Sequence, residues 1–201
     1  MKTLGNIKDL VNYIKDPNNS KLYIILGSLG SGKTVLSFRI DEVSNRDKCY
    51  VINVSTDNLP DKFIKAKNLR SITPNSNVII DDASMIFNTE YHKNINKLIT
   101  YMIRVSRHKN INYIFNMQNT GGLNRRIVEL VNGAIFIKEP SLTDMERDVM
   151  KKFIRDAREY FDGIPVKERK KYSYVVSNVY IGGIKNRPPV WWNDAVSRNK
   201  L

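Results

Sequence analysis

The stretch that most restricts the fold lies near the start of the chain. There the apolar run LYIIL, residues 22 to 26, stops at Gly27-Ser-Leu-Gly-Ser-Gly32-Lys33-Thr34. This matches G-x4-G-K-[ST], the phosphate-binding P-loop, in its required context of strand, glycine loop and helix. Glycines let the backbone wrap closely, so that successive N–H groups and the positive end of the following helix converge on an anion. Gly27, Ser28, Leu29, Gly30, Ser31, Gly32, Lys33, Thr34 and Val35 are therefore read as the cradle for a nucleotide's phosphates. Lys33 supplies a point charge between the β- and γ-phosphates, and the Thr34 hydroxyl one Mg2+ position. ATP and Mg2+ are the cofactors this predicts.

The rest of the chain alternates in a way that suits such a loop. Strands are expected at 22 to 26, 50 to 54, 77 to 80, 113 to 117 and 134 to 137, and helices at 6 to 15, 33 to 42, 61 to 67, 91 to 107 and 123 to 131. Short apolar strands separated by helices predict an α/β domain with a mostly parallel sheet covered on both faces. A single domain spans 1–201, with a core over about 20–140 and a C-terminal extension over about 141–201. The extension reads as a helix near 143 to 161, the basic turn KERKK, the β-rich run YSYVVSNVYIGG and a Trp-bearing tail.

A P-loop needs a metal-side acid, and NVII at 77 to 80 ends in Asp81-Asp82. A buried strand that delivers carboxylates at its C-terminal edge fits a Walker B element. Asp81 is assigned to Mg2+ and Asp82 to the attacking water, as orienter or proton acceptor, with the reversed assignment as the alternative. The plainer reading makes the two acids a helix cap. No Asn-Lys-x-Asp, DxxG or LSGGQ-like element is present, and no arginine-rich lid of a small-molecule kinase. Hydrolysing, motor-type ATPases remain.

The strand YIFNM then runs into Gln118, Asn119 and a double glycine. An amide at that sheet edge both donates and accepts, so Gln118 can contact the γ-phosphate and the attacking water. Arg104 and Arg107, at the end of the preceding helix, are candidates for an arginine finger given to a neighbouring subunit. Satisfying the helix dipole is their plainer role.

Charge points to a polyanionic partner: 33 basic against 20 acidic residues leave a net +13. Cys49 is the single cysteine, so no internal disulfide forms and a reducing, cytoplasmic setting is expected. No run reaches the roughly eighteen uncharged apolar residues of a membrane span. The amphipathic N-terminus, with its early acids, is not of the secretory kind.

GSLGSGKT, NVIIDDAS and SRHKNINYIFNMQNTGGLNRRIVELVNGAIFIKEPS together resemble the FtsK/HerA superfamily of DNA-pumping ATPases, mainly over residues 20 to 140. The short chain is most similar to the genome-packaging ATPases of membrane-containing viruses, including the archaeal turreted icosahedral type. The resemblance implies a RecA-like sheet with the glutamine strand between the P-loop and Walker B strands. It also implies a homo-oligomeric ring, ATP-driven movement of double-stranded DNA, and a capsid or portal-vertex partner. The setting would be the host cytoplasm, with passing association with the virion. Residue by residue it gives Lys33 and Thr34 to phosphate and magnesium, Asp81 to the metal, Asp82 to the catalytic acid and Gln118 to the sensor. Many relatives carry Glu where this chain has Asp82, and Asn116 takes the sensor part if the strand register shifts.

DNA contacts are assigned to Arg125 and Arg126, after the double glycine, and to the basic cluster Lys167, Arg169, Lys170 and Lys171. For each, a solvated surface charge is the competing reading. Trp191 and Trp192 are read as an apolar clamp that holds the tail to the core, with base stacking as the other reading. Two further functions stay open: a Zot-like ATPase of virion assembly or secretion, and a nucleotide switch with little turnover.

Overall fold

A computed structural model of the chain describes residues 4–54, 57–66, 68–83, 101–102, 104–118, 131–140, 148–193 and 196. Helix α1, Ile7–Lys15, begins with a reciprocal cap in which Asn6 accepts from Lys8 N and Asp9 accepts from Asn6 N. It ends at Asp16, where Pro17 follows and cannot continue it. Strand β1, Leu22–Leu26, feeds the glycine loop and helix α2, Lys33–Ser44. Strands β2 (Lys48–Ile52), β3 (Phe63–Lys65), β4 (Ser76–Ile80), β5 (Asn112–Met117) and β6 (Ala134–Ile137) follow. Helix α3, Asp148–Asp162, and the hairpin β7 (Tyr172–Ser177) and β8 (Ile181–Lys185) complete the described elements.

All eight strands form one sheet in the order β3-β2-β4-β5-β1-β6-β7-β8. The pairings from β3 to β6 are parallel, and β6-β7 and β7-β8 are antiparallel. The C-terminal extension thus continues the core sheet through its hairpin. The central strands are buried on both sides, which is why they read as continuous apolar runs and not as alternations. Ile24, Leu26, Val78, Ile80, Tyr113 and Phe115 pack on one face with Met102, Met150 and Ile154. Tyr23, Ile25, Ile79 and Ile114 pack on the other with Leu10 and Ile14 of α1 and with Leu36, Phe38 and Ile40 of α2. Among the described residues, no helix is long and apolar enough to cross a membrane.

One sequence expectation is corrected. The helix expected at 61 to 67 is absent over the described residues 61 to 66: Phe63–Lys65 pairs with β2 as a parallel edge strand, followed by a 3-10 turn at Leu69–Ser71. The reason is tertiary. The Phe63 ring meets Phe38 at 5.0 Å, while exposed Ile64 and Lys65 leave a short, charged edge. The second strand also starts two residues earlier than expected, at Lys48. Residues 104 to 109 are helical as expected, whereas most of the segment 91 to 103, all of 123 to 130 and residues 143 to 147 lie outside the described residues.

A ladder of buried amides crosses the sheet. Lys21 N donates to Asn112 Oδ1 at 2.8 Å, and Asn112 Nδ2 to Asn77 Oδ1 at 2.9 Å. Asn77 Nδ2 then reaches Asp41 Oδ1 and Ser44 Oγ on α2. Asp41, fully buried, is neutralised by Lys62 Nζ at 2.6 Å. Asn77 and Asn112 are register partners, so the ladder links β1, β5, β4 and α2 at one level. Also on α2, Trp191 packs on Phe38, and on Phe63 of β3, at 5.3 and 5.1 Å. Trp192 meets Phe38 at 5.9 Å, and Val190 N donates to Glu42. The tail is clamped onto α2 by apolar contact.

Candidate nucleotide site

β1 stops where its last register partner stops. Leu26 pairs with Met117, and Gly27 N donates to Met117 O at 3.1 Å. Beyond that point the loop leaves the sheet. A Cβ at Gly27 would stand 2.7 Å from Lys138 Cβ, and Gly32 opens the helix at φ +89°, so both positions demand glycine. Gly32 gives α2 no side-chain cap, and no acid lies in the first turn. The first N–H groups of α2 carry the partial positive charge of a helix N-terminus, and the cap residue has no side chain to offset it. Lys33 Nζ donates to Gly27 O and Ser28 O, both at 2.9 Å, across the loop's concave side. Ser31 Oγ is buried and lacks a hydrogen-bond partner among the described residues. Leu29, at the tip, is exposed.

The acid comes from β4. Asp81 N donates to Ile52 O at 3.0 Å, fixing the residue just past the strand. Asp81 Oδ2 accepts from Thr34 Oγ1 at 2.8 Å. Asp81 Oδ1 accepts from Asn116 Nδ2 and from Asp82 N, each at 3.1 Å. Asn116, completely buried on β5, also accepts from Ser37 Oγ at 2.6 Å. One connected network thus joins the loop helix, the β4 acid and the β5 amide. Asp82 follows at φ +47°, a left-handed conformation uncommon for a residue other than glycine.

The donor set fits a hard divalent cation. Thr34 and Asp81 bring a hydroxyl and a carboxylate into contact, the two protein ligands a P-loop Mg2+ uses. Among the described residues, no group of three His, Cys, Asp or Glu side chains stands together. A Mg2+ here would complete its shell with phosphate and water, as that ion usually does.

Gln118 stands exposed one residue past Met117, beside the first glycine of the loop. Arg104, Arg107 and His108 are exposed on the helical residues that lead into β5. They stand at the N-terminal edge of β5, the edge opposite the loop, so they are not assembled with Lys33 and Asp81 in one chain. Arg125 and Arg126 lie outside the described residues. The basic cluster sits in a 3-10 turn, Val166–Lys171. There Arg169 pairs with Glu139 at 2.7 Å and Lys171 with Glu168 at 2.8 Å, while Lys167 and Lys170 are exposed.

Three participants take roles that the sequence reading does not give them, although Asn116 is named there as an alternative sensor. Ser37 lies one turn after Lys33, a spacing that puts it on the same helix face. Asn116 shares a face of β5 with Asn112 and Ile114 by alternation, and that face meets α2. Lys138 is the third: it is 1% exposed, and its Nζ donates to Lys170 O and Tyr172 O, both at 2.7 Å. Burial lowers the Lys138 amine from 10.5 to about 7. Nothing in IKEP distinguishes it from a surface lysine.

By sequence, no family model and no curated protein matches the chain. By fold, solved structures do. B204, the DNA-packaging ATPase from Sulfolobus turreted icosahedral virus, aligns over 85% of this chain and 99% of its own, at a TM-score of 0.59 and 15% identity. The chain has a RecA-like P-loop NTPase fold. The genome packaging NTPase B204 from Sulfolobus turreted icosahedral virus 2, in complex with sulfate, aligns over 87% of this chain and 98% of its own, at 0.57 and 13%. EccC of Thermomonospora curvata, ATPases 2 and 3, shares the fold over 86% of this chain and 38% of its own, at 0.51 and 12%. Within this fold β5, the glutamine strand, lies between the P-loop strand β1 and the acid strand β4, the order the resemblance implies.

Proposed function

We propose that the chain is a Mg2+-dependent ATPase that moves double-stranded DNA, and that it packages a viral genome into a capsid. The observation that carries the reading is the 2.8 Å contact of Thr34 with Asp81, beside a helix N-terminus that no side chain caps. A glycine loop that only shaped a turn would not need a metal-competent pair at its mouth. The packaging role is supported by the fold shared with B204, which spans nearly its whole length, and by the net charge of +13.

In this reading Lys33 exchanges the two loop carbonyls for β- and γ-phosphate oxygens. When bound, Mg2+ neutralises phosphate charge, and Thr34 and Asp81 are the residues that would hold it. Asn116 and Ser37 keep the Asp81 carboxylate aimed. Asp82 orients the attacking water or takes its proton. Gln118 continues the face of β5 that carries Asn116, so its amide is on the side of the sheet where the γ-phosphate lies. Arg104 and Arg107 act on a neighbouring subunit's nucleotide, which makes a ring part of the proposal. Arg125, Arg126 and the exposed lysines of the 166–171 turn are the proposed DNA contacts. A capsid or portal-vertex protein in the host cytoplasm is the proposed docking partner.

The deciding experiment measures ATP turnover of the native chain and Asp82→Asn, with and without double-stranded DNA, and particle mass in the same nucleotide states. Expected are DNA-stimulated turnover and ring formation in the native chain, and loss of turnover with retained ATP binding in Asp82→Asn. A folded, ATP-binding protein whose turnover ignores DNA, and which fails to bind DNA at low salt, would sink the reading.

A further inference from the structure

Among the described residues, the buried amine of Lys138 has no task in the machinery above. Lys138 directly follows β6, and its N–H donates to Leu26 O at 2.7 Å. Its neighbour Glu139 accepts from Ser28 N at 3.3 Å. Residues 138 and 139 therefore run beside residues 26 to 28 and brace the start of the glycine loop from behind. The Lys138 side chain runs beside both ends of that loop. A Cβ on Gly27 would lie 2.7 Å from Lys138 Cβ, and one on Gly32 would lie 4.0 Å from its Nζ.

From there the amine reaches into the extension. It donates to Lys170 O and Tyr172 O, the end of the 166–171 turn and the start of β7. Lys170 O itself lies 3.6 Å from the Cβ position of Gly32. A second strut runs parallel to the first: Arg169 donates to Glu139 Oε1 at 2.7 Å and to Ile164 O at 3.0 Å. A methionine would fill the same volume without the cost of burying an amine. The position nonetheless holds a lysine, with its donors spent on backbone carbonyls of another element.

We propose that Lys138 is a positioning residue that ties the basic 166–171 turn to the phosphate loop, so that a polyphosphate seated in the loop orders the turn. The proposal rests on the nucleotide-binding reading above. Any shift of the loop about Gly27 or Gly32 presses on the Lys138 stem, and two hydrogen bonds pass that shift to residues 170 and 172. Phosphate charge a short distance away also favours the ammonium form, and a charged donor strengthens both bonds. The exposed side chains of Lys167 and Lys170 would then be presented differently in the filled and empty states. This gives the extension a way to report what the loop holds.

Hydrogen–deuterium exchange with ATPγS and Mg2+ tests this on the native chain, Lys138→Met and Lys138→Arg. In the native chain the analogue is expected to slow exchange at both 27–35 and 164–177. In Lys138→Met the loop stays protected, whereas the response at 164–177 falls about tenfold, the scale of two lost hydrogen bonds. Lys138→Arg, which can still donate to both carbonyls, restores much of it. A turn that responds in Lys138→Met as in the native chain overturns the proposal. So does a native turn that ignores an analogue which protects the loop, a result that needs no variant to fold. Absence of protection at 27–35, with no binding of the analogue by titration, instead overturns the nucleotide reading itself.

Discussion

Asn116 Nδ2 lies 3.1 Å from Asp81 Oδ1, and Asn116 Oδ1 accepts from Ser37 Oγ at 2.6 Å. A β5 side chain thus sets the direction of the β4 carboxylate while it holds α2. Removing it in Asn116→Ala deletes two hydrogen bonds, although the Ser37 hydroxyl keeps Lys33 O and Asp81 Oδ1 keeps Asp82 N, at a cost of about 1–3 kcal/mol. Turnover is expected to fall about tenfold, with more Mg2+ needed for half-maximal rate. Magnesium titrations of steady-state hydrolysis check this, and an unchanged Mg2+ requirement would assign the amide to folding alone.

Gln118→Ala is expected to separate binding from turnover. The side chain is exposed and braces nothing in the core, so stability should change by less than about 0.5 kcal/mol. DNA-stimulated hydrolysis should drop on the order of 100-fold, the cost of one amide aimed at a reacting phosphate. Full turnover in this variant would return the residue to an ordinary turn.

Lys138 makes stability depend on pH in a stated direction. Burial lowers its amine to about 7 when folded, while the unfolded chain restores the usual 10.5. Between those values the unfolded chain binds more protons, so stability rises with pH and is lowest below 7. The gain from pH 7 to 9 is about 2 kcal/mol from this group. A neutral amine keeps two N–H donors, enough for Lys170 O and Tyr172 O, so the contacts survive the titration. Urea unfolding at both pH values should show the rise in the native chain and a smaller one in Lys138→Met.

The tail contributes stability without entering the chemistry. Trp191→Ala removes ring contacts with Phe38 and Phe63 and should cost about 2 kcal/mol. Denaturant midpoints measure the loss, and the Mg2+ dependence of hydrolysis should stay as in the native chain.

The loop and the acid strand were legible in sequence because their chemistry needs particular residues at particular spacings. Gly27 to Thr34 and Asp81 have few substitutes, and both stand where the motif puts them. The strands were legible because burial on both faces leaves runs such as LYIIL. The segment at 61 to 67 was misread since its strand depends on Phe63 meeting Phe38, which no local pattern announces. Ser37 and Lys138, and the part of Asn116 in bracing Asp81, were hidden for the same reason. A serine on a helix, an amide in a strand and a lysine at a strand's end take their roles from what faces them across the sheet.

The amide ladder from Lys21 through Asn112 and Asn77 to Asp41 has a consequence for how the sheet is assembled. Apolar strands such as β4 and its neighbour β5 can slide past one another with little change in apolar contact. A slip of one residue between β4 and β5 would send Asn77 or Asn112 to the opposite face and leave Asp41 and Lys62 an incomplete partnership. Alignment is therefore proofread by polarity well away from the edge that carries the glycine loop. Because Asn116 is four residues beyond Asn112 on the same strand, the correct alignment at one end guarantees the aim of Asp81 at the other.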